Sequence, residues 1–453
     1  MTLAVQERTG TGIARKGGVD AAALLTAYVC LLWFIPSPMV VSALGSAGSP
    51  ATLFGIGLFL YWAWHTVRRT ERSDGRFRPV RAAMMVLLVV MLMVYAHAMA
   101  GPLPGDEIST ADSGMLRLIS LAGVVLLACD GVSDMDRLVT VLRRLAFAAG
   151  LVALLGLAQY ATGELFVDRI RVPGLTAGTE GWTLSSRSGF SRPSGTSMSP
   201  IEYGVVLGMM LPLAIVCASM QSRFRWLSRA MLVAMIASIF FSMSRSAYLC
   251  SLAGMFVLAL SWDLRTRLRA LGFFAAVSVV MYVSVPGLLG SIRGLFSNAD
   301  QDPSIASRTG SYDIAGEFIS GSPVVGKGFG TFLPKYWILD NAYLGMTIEA
   351  GFLGLLALLT LIVSGLVSAR SARRALQAER DARPVDAADD AHHVQFAQAL
   401  LASVAAGAGG LAFFDAFAFP QTAGCFFLLI GLAGAMRRLT QTPAPDPRRP
   451  VRS

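Results

Sequence analysis

Long apolar blocks, separated by charged or Gly/Pro-rich breaks, constrain this chain more than any other feature. They cover Asp20–Leu44, Ala51–Val67, Ala82–Ala100, Met115–Cys129, Leu138–Tyr160, Ile201–Met220, Ala230–Met243, Ala247–Trp262, Leu271–Leu289, Ala342–Ala369, Val394–Phe417 and Thr422–Met436, twelve in all. Most approach the ~20 residues that an α-helix needs to cross a hydrocarbon core. Inside a bilayer no water satisfies an exposed N–H or C=O, so such a block closes its hydrogen bonds internally as a helix. Composition agrees, with only 15% of the 453 residues charged and 54% hydrophobic. A soluble domain carries ~25% charged residues, and a larger core does not explain the deficit, because single cores stop growing near ~300 residues. The expectation is an all-α polytopic membrane protein with about twelve transmembrane helices. Its first block is too long for a cleavable signal, and no internal repeat of the transporter kind is visible.

The net charge of +10 follows membrane topology rather than nucleic-acid binding. One set of alternate connections holds Arg68, Arg69, Arg72, Arg76, Arg78 and Arg81, then Arg223, Arg225 and Arg229, then Arg265, Arg267 and Arg269, then Arg370, Arg373, Arg374, Arg380 and Arg383. Within the opposite set, the connection from Gly101 to Gly114 has no Lys or Arg but carries Asp106, Glu107 and Asp112. Cytoplasmic loops are the ones enriched in Lys and Arg. The tails 1–19 and 437–453 are therefore expected in the cytoplasm, with helices across 20–160, 201–289 and 341–436. Long extracytoplasmic loops are expected at 161–200 and 290–340. The five cysteines lie in or beside apolar blocks without metal-ligand spacing, so neither zinc nor a disulfide is expected. No nucleic-acid partner follows from the charge; membrane lipid does.

Cations on the outer side violate that pattern and need a reason. Arg245 stands in Ser-Met-Ser-Arg-Ser-Ala, a tight turn between two apolar blocks. An ionisable group at that depth is costly unless paired. It either snorkels to headgroups or a loop carboxylate, or presents a planar fork to an anion such as phosphate. Around Arg192 the chain runs Arg-Pro-Ser-Gly-Thr-Ser-Met-Ser-Pro-Ile-Glu-Tyr-Gly, which puts Arg192, Glu202 and Tyr203 near the start of a helix, where the dipole favours an anion. A plain connection into that helix is the alternative. Arg187 adds charge to the same loop. The second loop carries Arg308, then the glycine-rich Gly321–Gly330 stretch with Lys327, then Asp340-Asn341-Ala-Tyr343-Leu344 and Glu349-Ala-Gly351-Phe-Leu-Gly354. Asp340, at the mouth of the membrane, is a general-base candidate, or else the cap of the following helix. Asn298, Asp300 and Asp302 alternate as in a calcium loop, but the required Gly and distal Glu are missing.

Taken in order, Arg192–Gly204, Ser244-Arg245-Ser246, Arg308, Pro323–Gly330, Asp340–Leu344 and Glu349–Gly354 resemble the O-antigen ligase and polymerase family of bacterial membrane glycosyltransferases. The resemblance spans about Arg187 to Leu356; the N-terminal helices match only in number and hydrophobicity. It implies a polyprenyl-diphosphate-linked glycan as donor, a glycan or glycolipid as acceptor, and no cofactor or metal. Asp340, Arg245 and Arg308 would be catalytic. Arg187, Arg192, Glu202, Tyr203, Lys327, Asn341, Tyr343 and Glu349 would bind substrate. Where the ligases of that family carry a His, this chain has Asp340, and none of its four histidines lies in that loop. A carboxylate can take the same proton, and the difference leaves polymerase and ligase both open. A transporter or flippase of lipid-linked oligosaccharides is the competing class, although it would place its charges along a central path inside the helices.

Overall fold

The computed structural model describes residues 20–68, 76–177, 184–187, 189–220, 224–285, 287–297, 303–382 and 387–441. The basic tails beyond these limits, Arg69, Arg72, Arg223 and Arg383, and the acidic alternation at Asn298, Asp300 and Asp302 lie outside the described residues.

Helices occupy every predicted block. They are α1 (Ala21–Phe34), α2 (Pro50–Arg68), α3 (Pro79–Met99), α4 (Gly105–Gly131), α5 (Met135–Thr162), α6 (Pro200–Ser219), α7 (Arg225–Phe241), α8 (Arg245–Ala259) and α9 (Leu264–Ser284), followed after the second long loop by α12 (Ala342–Ala382), α13 (Ala387–Gly410) and α14 (Pro420–Gln441). That loop itself supplies α10 (Leu288–Ser297) and α11 (Pro303–Gly321). The expectation of twelve crossings is only partly met. Among the described residues, six helices, α3, α4, α5, α6, α12 and α14, are long and apolar enough to span a bilayer. The 3₁₀ turn Ser42–Gly48 with α2, bent by 73° from it, would make a seventh. Length accounts for part of the shortfall: α1 has 14 residues and α8 has 15, or about 21–23 Å of helix at ~1.5 Å per residue against a core of ~30 Å, whereas α9 and α13 have 21 and 24. The first long loop is also not wholly helical or irregular. Its β2 (Thr176–Ala177) pairs antiparallel with β1 (Met39–Val40), and β3 (Ser185–Arg187) pairs with β4 (Phe190–Arg192).

Local chemistry sets the helix starts. Asp20 accepts from Ala22 N–H and Asp134 from Arg137 N–H, capping α1 and α5. Ser199 accepts from Glu202 N–H at the start of α6, with Pro200 at the first helical position. Packing then orders the bundle. The apolar windows of α6 and α14 are 83% and 78% buried, whereas that of α3 is 39% buried. Accordingly α6 and α14 form the centre, with α14 against α4, α12 and α13, while α3 turns much of its surface outward. Small residues permit close approach. A Cβ on Gly123 would lie 2.3 Å from Gly55 O, and one on Gly431 would lie 2.9 Å from Val125 O. These contacts bring α4 against α2 and α14, the packing by small residues expected where helices meet inside a membrane.

Candidate active site

The glycine-rich stretch of the second loop is a plug in a broken helix. Within α12, Gly351 adopts φ 62° and ψ −170°, a conformation essentially confined to glycine. The break frees backbone groups on both sides, and Pro323–Gly328 satisfies them. Lys327 N–H donates to Ile348 O at 2.9 Å and Gly328 N–H to Glu349 O at 2.8 Å. In return, Phe352 and Leu353 N–H donate to Pro323 O and Val324 O at 2.9 and 3.2 Å. Contact is so close that a Cβ on Gly351 would sit 2.2 Å from Val324 O, and one on Gly326 would sit 2.5 Å from Glu349 O. The glycines thus serve backbone docking.

At the same end of the bundle, the turn Ser242–Ser244 leads into α8 with Met243 at φ 44°. Ser244 caps α8 by accepting from Ala247 N–H at 3.4 Å, and Arg245 is the first helical residue, only 8% exposed. Arg192, at the end of β4, donates from Nε to Ser242 O at 2.8 Å. The sequence places Arg192 and Arg245 in different segments; this bond puts them on one turn. Arg192 Nη2 is buried without a hydrogen-bond partner among the described residues. Burial, then the like charge of Arg187, pulls the Arg192 guanidinium down to about 10, with Tyr248 opposing. Arg187, Arg192 and Tyr248 are therefore electrostatic neighbours. The backbone of Arg308 lies in α11; its side chain is outside the described residues.

The connection between α13 and α14 ties this turn to Asp340. Ser246 Oγ donates to Phe413 O at 3.0 Å, and Ala342 N–H donates to Leu411 O at 2.9 Å. Asp415, in that connection, is close enough to Asp340 and Arg117 to feel both charges. Burial pushes the Asp415 carboxyl up to about 6; Arg117 opposes the rise and Asp340 adds to it. The cap of α12 is Asn341, whose Oδ1 accepts from Tyr343 N–H at 3.0 Å and Leu344 N–H at 3.2 Å. Asp340 is half-buried beside it and is not the residue doing that work.

Other predicted residues hold structural positions. Glu202 is fully buried and accepts from the backbone N–H of Met198 (2.8 Å), Gln421 (2.7 Å) and Thr422 (3.4 Å). It locks α6 to the start of α14, where a carboxylate also meets the helix dipole. Tyr203 is 1% exposed and donates to Ala153 O at 3.3 Å, inside the helix packing. Tyr343 donates to Ala408 O at 2.7 Å. Lys327 pairs with the buried Glu107 at 2.9 Å and lies 4.0 Å from the centre of the Tyr336 ring. Tyr336 also bonds Glu107, and Lys335 pairs with Asp106 at 2.7 Å, which holds the Lys335 ammonium above its usual range. These contacts fasten the loop to the first turn of α4. Glu349 accepts from the N–H of Phe332 at 3.3 Å and from Gly330, and shares its surroundings with Arg117 and Asp415.

Two residues at this centre, Arg117 and Asp415, escape a reading of the outer connections, because both lie inside apolar blocks. The signal was present, since each is an ionisable group inside an apolar block. Arg117 Nε is buried and without a hydrogen-bond partner among the described residues. Below the arginine turn, an apolar groove of about 1100 Å³ opens between α6, α7, α8 and α9, with Phe240, Tyr248 and Ile292 at its upper end. Among the described residues, no three His, Cys, Asp or Glu side chains come together as a metal site.

A bundle with this many apolar helices is a helical integral membrane protein, with buried arginines and a plugged helix break at one end. Residues 230–359, less than a third of the chain, match the family model for O-antigen ligase. The matched segment includes Arg245, Arg308, Lys327, Asp340, Asn341, Tyr343 and Glu349, and excludes Arg187, Arg192, Glu202 and Tyr203. No curated protein matches the chain.

Proposed function

We propose that this protein transfers a polyprenyl-diphosphate-linked glycan to an acceptor hydroxyl on the extracytoplasmic face of the bacterial inner membrane, in polymerisation or ligation of a surface polysaccharide. The observation that carries the reading is the bond from Arg192 to Ser242 O, which leaves a buried Nη2 donor unmet one turn from buried Arg245. An apolar groove beginning beneath two guanidinium groups suits a lipid tail joined to a diphosphate.

The acceptor oxygen bonds to the anomeric carbon as that carbon's bond to phosphate oxygen breaks. Polyprenyl diphosphate leaves with the electron pair, its charge met by Arg192 and Arg245, with Arg187 adjacent and Arg308 on α11 as a further candidate. Fixed cations at the site of developing charge stabilise the transition state without reorganisation. The acceptor proton passes to Asp340, which is released from capping by Asn341. The leaving group already carries two phosphates, so the step draws on no cofactor.

The test is complementation of a deletion strain with Arg192→Ala, Arg245→Ala and Asp340→Asn, read by gel analysis of surface polysaccharide. Loss of one oxyanion-type donor lowers turnover by ~10²–10³, so each variant should fail to restore the glycan at wild-type protein level. Single repeats left on lipid would mark a polymerase; long chains left on lipid would mark a ligase. Full restoration by all three variants would defeat the proposal. Donor crossing between leaflets of proteoliposomes without glycan transfer would assign a transporter instead.

A further inference from the structure

The groove has a second end, and its chemistry differs from the first. It follows α8 from Tyr248 to Leu258 and on to Ser261, and those first ten residues alone rise ~15 Å. At this far end the groove is lined from the C-terminal parts of α6 and α8, the N-terminal parts of α7 and α9, and the distal part of α12. Four arginines from three helices line it: Arg229 of α7, Arg269 of α9, and Arg373 and Arg380 of α12. One carboxylate, Asp263, lines it as well, and that group is engaged by Thr266 at the start of α9.

These cations are not spent on one another's surroundings. Among the described residues, Arg269, Arg373 and Arg380 have no ion-pair partner, and Arg373 Nε is buried without a hydrogen-bond partner. Gln398 Oε1 is also unmet, although its Nε2 donates to Val257 O. Immediately above lie Leu232, Leu252, Met255 and Phe273, with no charge among them. A cationic rim under an apolar shaft is the complement of an amphiphile with an anionic head.

We propose that this end of the groove is a binding site for an acidic glycerophospholipid of the cytoplasmic leaflet, its phosphate held by Arg269 and Arg373 and its acyl chains lying along the apolar shaft. The proposal rests on the orientation read from the arginine distribution, not on the transfer reaction. A guanidinium fork matches phosphate oxygens in a way an ammonium does not, and basic hollows between helices on the cytoplasmic side are suited to anionic headgroups. The bound lipid seals the lower groove and leaves the upper part, beneath Arg192 and Arg245, to the glycan donor.

The experiment uses the full chain, purified in detergent and delipidated, titrated with phosphatidylglycerol or phosphatidylcholine and read by native mass spectrometry and by thermal stabilisation. Phosphatidylglycerol should bind and stabilise, and phosphatidylcholine should bind at least tenfold more weakly. Arg269→Gln and Arg373→Gln should each weaken phosphatidylglycerol about fivefold, whereas Arg374→Gln, at an exposed neighbour that does not line the groove, should change nothing. If Arg373→Gln fails to fold, Arg373→Lys keeps the charge and loses the fork, and an intermediate loss is expected. Equal binding of the two lipids, or equal loss from Arg374→Gln, would mean diffuse surface attraction and overturn the site. Glycan transfer is not a readout, so failure here leaves the proposed reaction standing.

Discussion

Replacing Gly351 by alanine should unseat the plug that joins the second loop to α12. The residue sits at φ 62° and ψ −170°, and a non-glycine residue held in such a conformation costs ~1–3 kcal/mol. Its new Cβ would also lie 2.2 Å from Val324 O, 2.3 Å from Val324 C and 2.6 Å from Val325 N. All three are backbone atoms, so no rotamer change relieves the clash, and Pro323–Gly328 must move out. Four backbone hydrogen bonds between that segment and the helix break, at 2.8–3.2 Å, go with it. At ~0.5–1.5 kcal/mol apiece their loss adds about 2–6 kcal/mol, a large part of a typical ~5–15 kcal/mol stability. The thermal midpoint of the detergent-purified protein should fall steeply, and trypsin should cut after Lys327, which is shielded by Glu107 and Tyr336 in the intact fold. Gly316→Ala is the comparator, because a Cβ there meets nothing within 4 Å in the middle of α11 and should be neutral or slightly stabilising. A Gly351→Ala protein with the wild-type midpoint and an uncut loop would refute the account of the helix break.

Asp340→Asn should abolish glycan transfer with an unchanged thermal midpoint, while Asn341→Ala should lower stability by ~1 kcal/mol through loss of the α12 cap and retain measurable transfer; comparing midpoint and activity for the pair separates proton acceptor from cap. Glu107→Gln should loosen the loop by stranding Lys327, and Lys327→Met should do likewise, but the double variant should cost less than the sum, a coupling read in a double-mutant cycle. Asp415 has a carboxyl raised to about 6 from ~3.9 when unfolded, so the folded state binds the proton more tightly. Stability should therefore fall as pH rises from about 4 to about 6, and Asp415→Asn should flatten that stretch of a midpoint-against-pH curve; an unchanged slope would contradict it.

Helix positions were legible because membrane helices are specified locally. An apolar block long enough to matter has no water to satisfy its backbone, and a helix is the answer whatever surrounds it. How many blocks cross was less legible, since α1 and α8 are short and whether a short helix spans depends on its neighbours. The site divides the same way. Arg192, Arg245 and Asp340 stood out as ionisable groups at block edges, whereas the cap of α12, expected as an alternative role for Asp340, falls on its neighbour Asn341. Glu202 and Tyr203 stood out for their place near the start of α6; both are buried, Glu202 among backbone N–H groups and Tyr203 against Ala153 O, partners that proximity to a helix N-terminus does not specify.

Sequence alone determined the mainly helical membrane architecture, the alternation of basic connections and the order of motifs, part of which the O-antigen ligase match covers. Each is a property of one segment at a time, set by hydropathy and charge within about twenty residues. Tertiary structure alone decided that Ser242 O joins Arg192 to the Arg245 turn, that Phe413 and Leu411 bring Asp340 to the same end, and that the glycine loop closes a break 20 or more residues later. Those pairings involve backbone carbonyls and N–H groups, which every residue carries, so no side-chain pattern along the chain could announce them.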